Sequence, residues 1–196
     1  NPTADREMFS MQELIDTFSL EKVNKSGAIF DLTKLNWMNS QYLRAKSLDE
    51  LADFIIPFLE KENFNYKNRE YLKQVIDLIK ERIDNLLELP NFAPYMFSKP
   101  TEFDEDFVKK HWKDNTTEII SKYYEEIKKI EKWDYQTLHD FTQKYCEENN
   151  LKLREIVHPL RIMLTGKSVG AGLFETMSLL EKEDALERIT SFLAKH

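Results

Sequence analysis

Histidine and cysteine are the residue types in this sequence that could bind a metal ion or act as nucleophiles. The histidines are His111, His139, His158 and His196, and the only cysteine is Cys146. No two histidines have the i, i+4 spacing around a glutamate that a helical zinc site needs, so we expect no metal site. Cys146 has no evident general base, and His158, which precedes Pro159, has an expected structural role. These residues therefore do not support nucleophilic catalysis.

A glycine-rich segment and several acidic pairs are the other patterns that could do chemistry. The segment GKSVGAG at residues 166–172 contains the residue types of a phosphate-binding loop. In such a loop the lysine and serine follow the glycines, whereas Lys167 precedes two of them, so we exclude a P-loop. Pairs such as Glu125 and Glu126 are typical of solvated helix faces in a chain with 35 acidic residues. Without an acid, base and nucleophile together, a stand-alone enzyme is disfavoured.

The composition indicates a folded, helical chain that would position any binding residues. Of 196 residues, 41% are apolar and 12% aromatic, with only 4 glycines and 6 prolines. This argues against disorder and against a glycine-rich β-sandwich or barrel. No apolar run is long enough to cross a membrane, and the first ten residues lack the features of a signal peptide. We expect a soluble, cytoplasmic protein.

Charge is distributed unevenly along the chain. The net charge is −7, with 28 Lys and Arg against 35 Asp and Glu, which disfavours extensive contact with phosphates. One segment departs from this average, because residues 151–174 contain four cations and a single acid, Glu155. The cations are Lys152, Arg154, Arg161 and Lys167. Such a segment could bind a nucleic acid locally, with a shallow dependence on salt.

Capping signals and apolar spacing predict the helices of the first half. The pairs Ser10–Glu13 and Ser47–Glu50 have the spacing of a reciprocal N-terminal cap. Apolar residues that follow Ser47, and others within residues 68–87, recur at three- and four-residue spacing. This spacing predicts two helices, each with one buried face.

The second half is predicted to be a compact bundle of six helices. Two prolines and the lack of a helical period indicate a connection at residues 91–101, so we place a boundary near residue 102. Asp134 is expected to cap the third of these helices and Gly166 to end the fourth in a left-handed conformation. Only residues 27–32 have strand character. The predicted helices cover residues 104–114, 116–131, 135–148, 152–165, 172–180 and 183–194.

Three longer segments carry more specific patterns. They are MQELIDTFSLEKVNKSGAIFDL at 11–32, FDLTKLNWMNSQYLR at 30–44 and HPLRIMLTGKSVGAGLFETMSLLEKEDALERI at 158–189. Together, in their order and spacing, they resemble the bacterial glutamyl-tRNA synthetases over essentially the whole chain. The resemblance implies an all-α fold, with at most one short strand near residues 28–32. Its implied regions are a stem-contact region at 1–46 and two helical anticodon-binding units at 47–102 and 103–196.

The resemblance also implies a function. Members of the family attach glutamate to its tRNA, using ATP and Mg²⁺ in a catalytic domain whose ATP-binding signatures do not occur in these 196 residues. The chain is therefore expected to hold no catalytic residue, metal or cofactor, and to be inactive alone. The implied partner is tRNA(Glu), without DNA or membrane binding, and a monomer is expected. The implied role is recognition of the anticodon and the inner corner of the tRNA.

The stem-contact residues implied by the resemblance lie on one predicted helix. Lys34 and Trp37 are expected to contact the inside corner of the tRNA, although Trp37 could equally belong to the core. Arg44, at the expected exposed end of this helix, could bind a phosphate or be a solvated charge.

The anticodon-binding residues implied by the resemblance are two arginines and a turn. They are Arg82, Arg161, Gly170, Ala171, Gly172 and Leu173. Guanidinium groups can stack on a base and donate paired hydrogen bonds, and Arg82 is expected to face the third anticodon base. A turn flanked by glycines can expose main-chain groups to a base edge, or it can simply connect two helices. The family usually has proline where Ala171 stands, which implies a looser turn in this chain.

A second interpretation is an all-helical adaptor domain without a role in RNA binding. Its acidic faces would repel nucleic acid, and exposed aromatic side chains such as Tyr95 and Phe97 would contact a protein partner. The tRNA interpretation instead requires Arg82, Arg161 and the turn at 170–173 to lie on the same side of the molecule.

Overall fold

The computed structural model describes residues 6–23, 27 and 29–195, and every regular element within these ranges is helical. The α-helices are α1 (Met11–Thr17), α2 (Leu32–Ala45), α3 (Leu48–Lys61), α4 (Arg69–Ile79), α5 (Leu89–Phe92), α6 (Glu105–His111), α7 (Thr116–Ile127), α8 (Tyr135–Glu148), α9 (Arg154–Thr165), α10 (Leu173–Leu179) and α11 (Lys182–Leu193). Short 3-10 turns cover Leu20–Lys22, Lys80–Arg82, Leu86–Glu88 and Pro94–Met96. The all-α prediction is confirmed. In this described part of the chain, no helix has the length and apolar character to cross a membrane.

The strand character noted near residues 28–32 does not produce a strand in the residues described. Residues 29–31 have no regular structure, Ala28 lies outside the described ranges, and α2 begins at Leu32. The side chain of Asp31 accepts a hydrogen bond from the amide three residues later and so caps α2. Because the cap satisfies a free amide of the first helical turn, it favours a helix start over the alternating apolar pattern.

Helix α4 is shorter than its apolar pattern predicts. It ends at Ile79, and the chain continues through the 3-10 turn Lys80–Arg82 into an extended Ile83. Ile83 and Leu86 are nevertheless buried. The pattern over residues 68–87 therefore identified core residues correctly, but they belong to a helix and the irregular segment after it. As a result, Arg82 lies in a turn beyond the end of α4.

The connection at residues 91–101 is part of the core. The turn Pro94–Met96 carries Tyr95 and Met96 into the interior, and only 1% of the surface of Tyr95 is exposed. Phe97 is half-buried and also packs against the core. Burial removes large apolar surfaces from water, which outweighs the loop-like character of the sequence. The expectation that Tyr95 is an exposed docking residue is therefore wrong.

Helix α9 lies at the centre of the second half of the chain. It contacts α6, α7, α10 and α11, and it buries Ile156, Leu160 and Met163 along one face. The helix ends at Gly166, whose φ of 71° lies in the left-handed region. A Cβ at Gly166 would also collide with the carbonyl oxygen of Glu102. Glycine is therefore required there both for conformation and for space, in agreement with the predicted helix end.

A buried arginine connects α11 to both halves of the chain. The guanidinium of Arg188 donates to the carbonyl oxygens of Tyr95, at 2.9 Å, and Leu164, at 2.8 Å. It also pairs with Asp184 at 2.8 Å. Tyr95 and Leu164 lie on opposite sides of the predicted boundary near residue 102, and buried apolar residues from both sides form one cluster. The two proposed helical units thus share a continuous packed interior.

Candidate nucleic-acid interface

Arg161 is held against the predicted turn. It lies on α9, one turn before the end of the helix, and its Nη1 donates to the carbonyl oxygen of Ala171 at 2.9 Å. The side chain is half-buried, and this burial lowers the pKa of Arg161 from its ordinary value. An arginine remains protonated under these conditions, so a fixed cation lies beside the turn. Because one N–H is already engaged, the orientation of the remaining donors is constrained.

Tyr95 packs against the same turn on its buried side. The amide of Ala171 donates to Tyr95 Oη at 3.4 Å, and burial raises the pKa of Tyr95, which keeps the phenol neutral. A Cβ added at Gly170 would lie only 2.8 Å from this hydroxyl oxygen. The absence of a side chain at Gly170 therefore lets the main chain of the turn approach the Tyr95 ring closely.

Arg82 lies on the same side of the molecule as Arg161. It is exposed in the turn that follows α4, and its Nη1 donates to the carbonyl oxygen of Leu78 at 3.2 Å. Burial is the main cause of the pKa shifts of Tyr95 and Arg161, and the charge of Arg82 is a smaller influence that acts on both. Helix α4, which leads into the Arg82 turn, packs against α10, which follows the turn at 170–173. The fold thus brings Arg82, Arg161 and the turn at 170–173 to one face, although they are far apart in sequence.

The main chain of the turn is less available than the sequence suggested. Both the carbonyl oxygen and the amide of Ala171 are bonded within the protein, to Arg161 and Tyr95. Ala171 and Leu173 are buried. The most exposed apolar side chain of this region is instead Val169, at 73%. Its prominence depends on the loop path between α9 and α10, and no sequence pattern indicated it.

A cleft of about 520 Å³ opens beside the turn. Its walls come from the 94–104 connection and from residues 165–169, and they include Tyr95, Phe103 and Val169. Lys167 also lines the cleft, but its ammonium group donates to the Asn91 carbonyl oxygen at 2.8 Å. The cleft combines aromatic and polar groups beside the turn to which Arg161 is bonded. It was not predicted from the sequence, because its walls are brought together only by the packing of the two halves.

Arg44 is a connecting residue within the fold. It is half-buried, and its Nε bonds to a carboxylate oxygen of Glu81 at 2.8 Å, while Nη1 donates to Ser40 Oγ at 2.7 Å. A third donor reaches the Glu81 carbonyl oxygen at 3.3 Å. These bonds tie α2 to the turn that contains Arg82. Arg44 is therefore neither at an exposed helix end nor a freely solvated charge.

Lys34 and Trp37 occupy one exposed side of α2. Trp37 is 43% exposed, which decides between the two interpretations of this residue in favour of the surface. The ammonium group of Lys34 pairs with Glu7 at 2.6 Å, and both side chains are about half exposed. The two residues lie about one helical turn apart, so a single ligand could contact both. No bond links them to the Arg82 face in the described residues.

Metal ions in proteins require groups of ligand side chains that lie close together. Among residues 6–23, 27 and 29–195, no three or more His, Cys, Asp or Glu side chains form a group that could hold an ion. Cys146 is buried, and burial raises the pKa of its thiol. The thiol is therefore in its neutral, weakly nucleophilic form at neutral pH.

Comparison with known proteins assigns the helical fold to a family. A family model described as "Anticodon binding domain" matches residues 50–193. The chain belongs to this family. The match covers most of both helical units and all of the residues that form the Arg82 and Arg161 face.

Similarity to individual proteins covers more of the chain than the family model does, and includes most of the segment before residue 50. A protein named "Glutamate--tRNA ligase" from Pelodictyon phaeoclathratiforme is 33% identical over 195 residues, covering 95% of this chain and 39% of that protein. "Glutamate--tRNA ligase 1" from Fervidobacterium nodosum is 36% identical over 193 residues, covering 97% and 38%. The chain thus spans about 39% of the length of the first of these relatives.

Solved structures agree with this anticodon-binding fold. A glutamate tRNA ligase from Elizabethkingia meningosepticum matches with a TM-score of 0.90 and 28% identity, over 98% of this chain and 38% of that one. Glutamate-tRNA synthetase from Elizabethkingia anophelis matches with a TM-score of 0.86 and 27% identity. The resemblance to bacterial glutamyl-tRNA synthetases inferred from the three sequence segments is confirmed.

Proposed function

We propose that this chain recognises tRNA, as the anticodon-binding and stem-contact part of a glutamate–tRNA ligase. The observation that supports this most strongly is the bond of Arg161 to the 170–173 turn in an anticodon-binding domain, with the Arg82 turn on the same side through the packing of α4 against α10. Residues 1–46 would form the stem-contact region, and 47–102 and 103–196 the two anticodon-binding units.

Arg161 would act as a preorganised cation at the anticodon. Its bond to the Ala171 carbonyl oxygen fixes one edge of the guanidinium. The rest of the planar group can stack on an unpaired base or donate to a base edge, at a smaller entropic cost than a free side chain. Gly170, Ala171, Gly172 and Leu173 would then hold Arg161 in place more than they contact bases themselves.

Arg82 would supply the second guanidinium, facing the third anticodon base. It is exposed and, among the described residues, takes part in no ion pair, so binding requires no internal bond to a carboxylate to break. Two like charges on the same side of a molecule repel each other. A phosphate or the electronegative edge of a base between them would relieve this repulsion.

Lys34 and Trp37 would contact the inner corner of the tRNA. Trp37 offers an exposed aromatic surface and Lys34 a cation one turn away on α2. Arg44 would contribute by holding α2 against the Arg82 turn, through its bonds to Glu81. Its role in this proposal is therefore to position, and the phosphate contact implied by the resemblance would be secondary.

The complete enzyme would attach glutamate to tRNA(Glu) with ATP and Mg²⁺, and would do so in the cytoplasm as a monomer. None of that chemistry is assigned to residues of this chain. The relatives named glutamate–tRNA ligases are more than twice as long as the stretch that this chain matches. The chain would supply the specificity for the anticodon of tRNA(Glu), and the remainder of the polypeptide would supply catalysis.

The test is binding of the anticodon stem-loop of tRNA(Glu) to the chain and to Arg82→Ala and Arg161→Ala variants. We expect each variant to lose about 1–3 kcal/mol of binding free energy, because each removes a base contact. Arg69→Ala is a matched control, since Arg69 lies partly exposed at the other end of α4 and pairs with Asp53 at 2.5 Å. Unchanged affinity in both test variants would contradict the proposal, as would an equal loss for Arg69→Ala.

A further inference from the structure

Three aromatic rings form a cluster between α6 and α9. The rings of His111 and His158 are stacked, with centroids 4.3 Å apart and planes inclined by 12°. Phe107 packs against both, at 4.3 Å from His111 and 5.5 Å from His158. Both histidines are half-buried, so part of each ring reaches the surface. His158 lies one turn after the start of α9.

Besides burial, neighbouring cations lower the pKa of these rings. From the α6 side they are Lys110 and Lys113, and from α9 they are Arg154 and Arg161. Arg154, His158 and Arg161 are spaced by four and three residues, which places them along one face of α9. The rings therefore lie among positively charged residues, and this charged surface runs along α9 to Arg161.

Three of these cations have no carboxylate partner in the part of the chain that the structure describes. Within the described residues, Lys110, Lys113 and Arg154 form no ion pair, although the net charge of the chain is −7 and most of its other lysines and arginines are paired. Lys109, next to Lys110, pairs instead with Glu105 at 3.3 Å. Unpaired cations that collect on one surface of an acidic protein are typical of a site for a polyanion.

We propose that Lys110, His111, Lys113, Arg154 and His158 bind the phosphate backbone of the RNA strand that leaves the anticodon face. We call these five residues the histidine strip. This inference rests on the proposed function and extends its site from the unpaired bases to the adjoining phosphates. Lysine and arginine would neutralise phosphates directly, and the stacked imidazoles would add charge only after they take up protons.

Proton uptake gives the strip a dependence on pH. Burial, together with Lys110 and its neighbouring cations, lowers the pKa of His111, and burial and the charge of His111 lower that of His158. Both rings are therefore neutral in the free protein at neutral pH. A bound phosphate favours the charged form, so binding raises both pKa values and consumes protons. The RNA affinity should rise as the pH falls through the pKa values of the complex.

The first experiment measures how the affinity for full-length tRNA(Glu) depends on salt, for the whole chain and for Lys110→Gln and Arg154→Gln variants. Each substitution should reduce the slope of log K against log salt by about 1, because one phosphate contact is lost. Lys109→Gln is the matched control, since this neighbouring lysine is bonded to Glu105. Unchanged slopes in both test variants, or an equal change in the control, would overturn the proposal.

The second experiment replaces both imidazoles with rings that cannot titrate. Between pH 8 and pH 5.5 the unmodified chain should gain about tenfold in affinity at ~0.1 M salt for each protonated contact. His111→Phe/His158→Phe should keep the packing and lose this gain. Equal thermal midpoints at pH 8 would establish that the variant is folded, and a gain of unchanged size in the variant would refute the role of the rings.

The two proposals can fail separately. If Arg161→Ala weakens binding while Lys110→Gln and Arg154→Gln do not, the anticodon face stands and the histidine strip is rejected. If none of the three matters for tRNA, both are rejected. Capture of a polyglutamate peptide that depends on Lys110 and Arg154, without any effect of these residues on tRNA, would assign the strip to an acidic protein and overturn the RNA proposal.

Discussion

Replacing Arg188 with methionine tests whether the two halves of the chain depend on one buried guanidinium. The substitution keeps much of the apolar volume but removes the bonds to the carbonyl oxygens of Tyr95 and Leu164 and the pair with Asp184. A buried acceptor that loses its partner costs about 1–3 kcal/mol, and removal of one member of a buried ion pair costs about 3–5 kcal/mol.

The expected cost lies near the lower end of these values. Asp184 is only partly buried, and Lys99 lies 3.8 Å from it, so the carboxylate keeps solvent and a cation after the substitution. We therefore expect Arg188→Met to lower the free energy of unfolding by about 2–4 kcal/mol, a large share of the ~5–15 kcal/mol typical of a domain. For a chain of this length, that corresponds to a thermal midpoint lower by about 5–15 °C.

Urea denaturation and thermal denaturation of the whole chain measure this effect, with Arg69→Met as the control. Arg69 also pairs with two carboxylates, those of Asp49 and Asp53, but at the surface, where ion pairs contribute about 0–1 kcal/mol. Arg188→Lys should recover only part of the loss, because an ammonium group cannot reproduce the planar fork. If the losses in free energy of unfolding for Arg188→Met and Arg69→Met differ by less than about 1 kcal/mol, the buried bonds of Arg188 are not important for stability and the reasoning fails.

Two further predictions concern local structure. Gly166→Ala should lower the free energy of unfolding by about 1–3 kcal/mol, because alanine at a φ of 71° is strained and its Cβ would collide with the Glu102 carbonyl oxygen. Urea denaturation measures this loss, and an unchanged midpoint would contradict the prediction. Ser47→Ala should raise the pKa of Glu50 part of the way from about 2 towards 4.5 in an NMR titration, because it removes the hydroxyl bond of Ser47, while the main-chain amide at position 47, the largest cause of the lowering, can still donate to the carboxylate. In the parent chain this carboxylate favours folding above pH 4.5, and its contribution is lost as the pH falls towards 2; the variant should show less of this acid-dependent loss.

Features set by neighbouring residues were predictable from the sequence. Both capping boxes, the Asp134 cap and the left-handed Gly166 are present as expected, because each depends on residues within one turn of a helix end. Helix α8 has the predicted bounds, 135–148. The end of α4 was not predictable in this way, because Ile83 and Leu86 continue the apolar spacing while the backbone leaves the helix.

Features set by distant packing could not be predicted from one sequence. Tyr95 was expected at the surface, yet it packs under the turn and accepts a hydrogen bond from Ala171, 76 residues away. Arg188 carried no distinguishing pattern on an amphipathic helix, although it is buried and bonded to two carbonyl oxygens. The placement of Arg82 and Arg161 on one side of the molecule was expected only through the resemblance, since no local rule joins residues 79 positions apart.

Ion pairing ranks the proposed contacts by how readily each cation could exchange its partner for a phosphate. Lys34 is paired with Glu7 at the surface, where such a pair is weak, so RNA can displace the carboxylate at little cost. Arg44 is bonded at once to Ser40 and to both the side chain and the carbonyl oxygen of Glu81, and it would have to give up several bonds. Arg161 keeps its bond to a neutral carbonyl and retains its full charge for the ligand. Alanine substitution should therefore weaken tRNA binding most at Arg161, less at Lys34 and least at Arg44, whose loss should appear mainly as a looser α2.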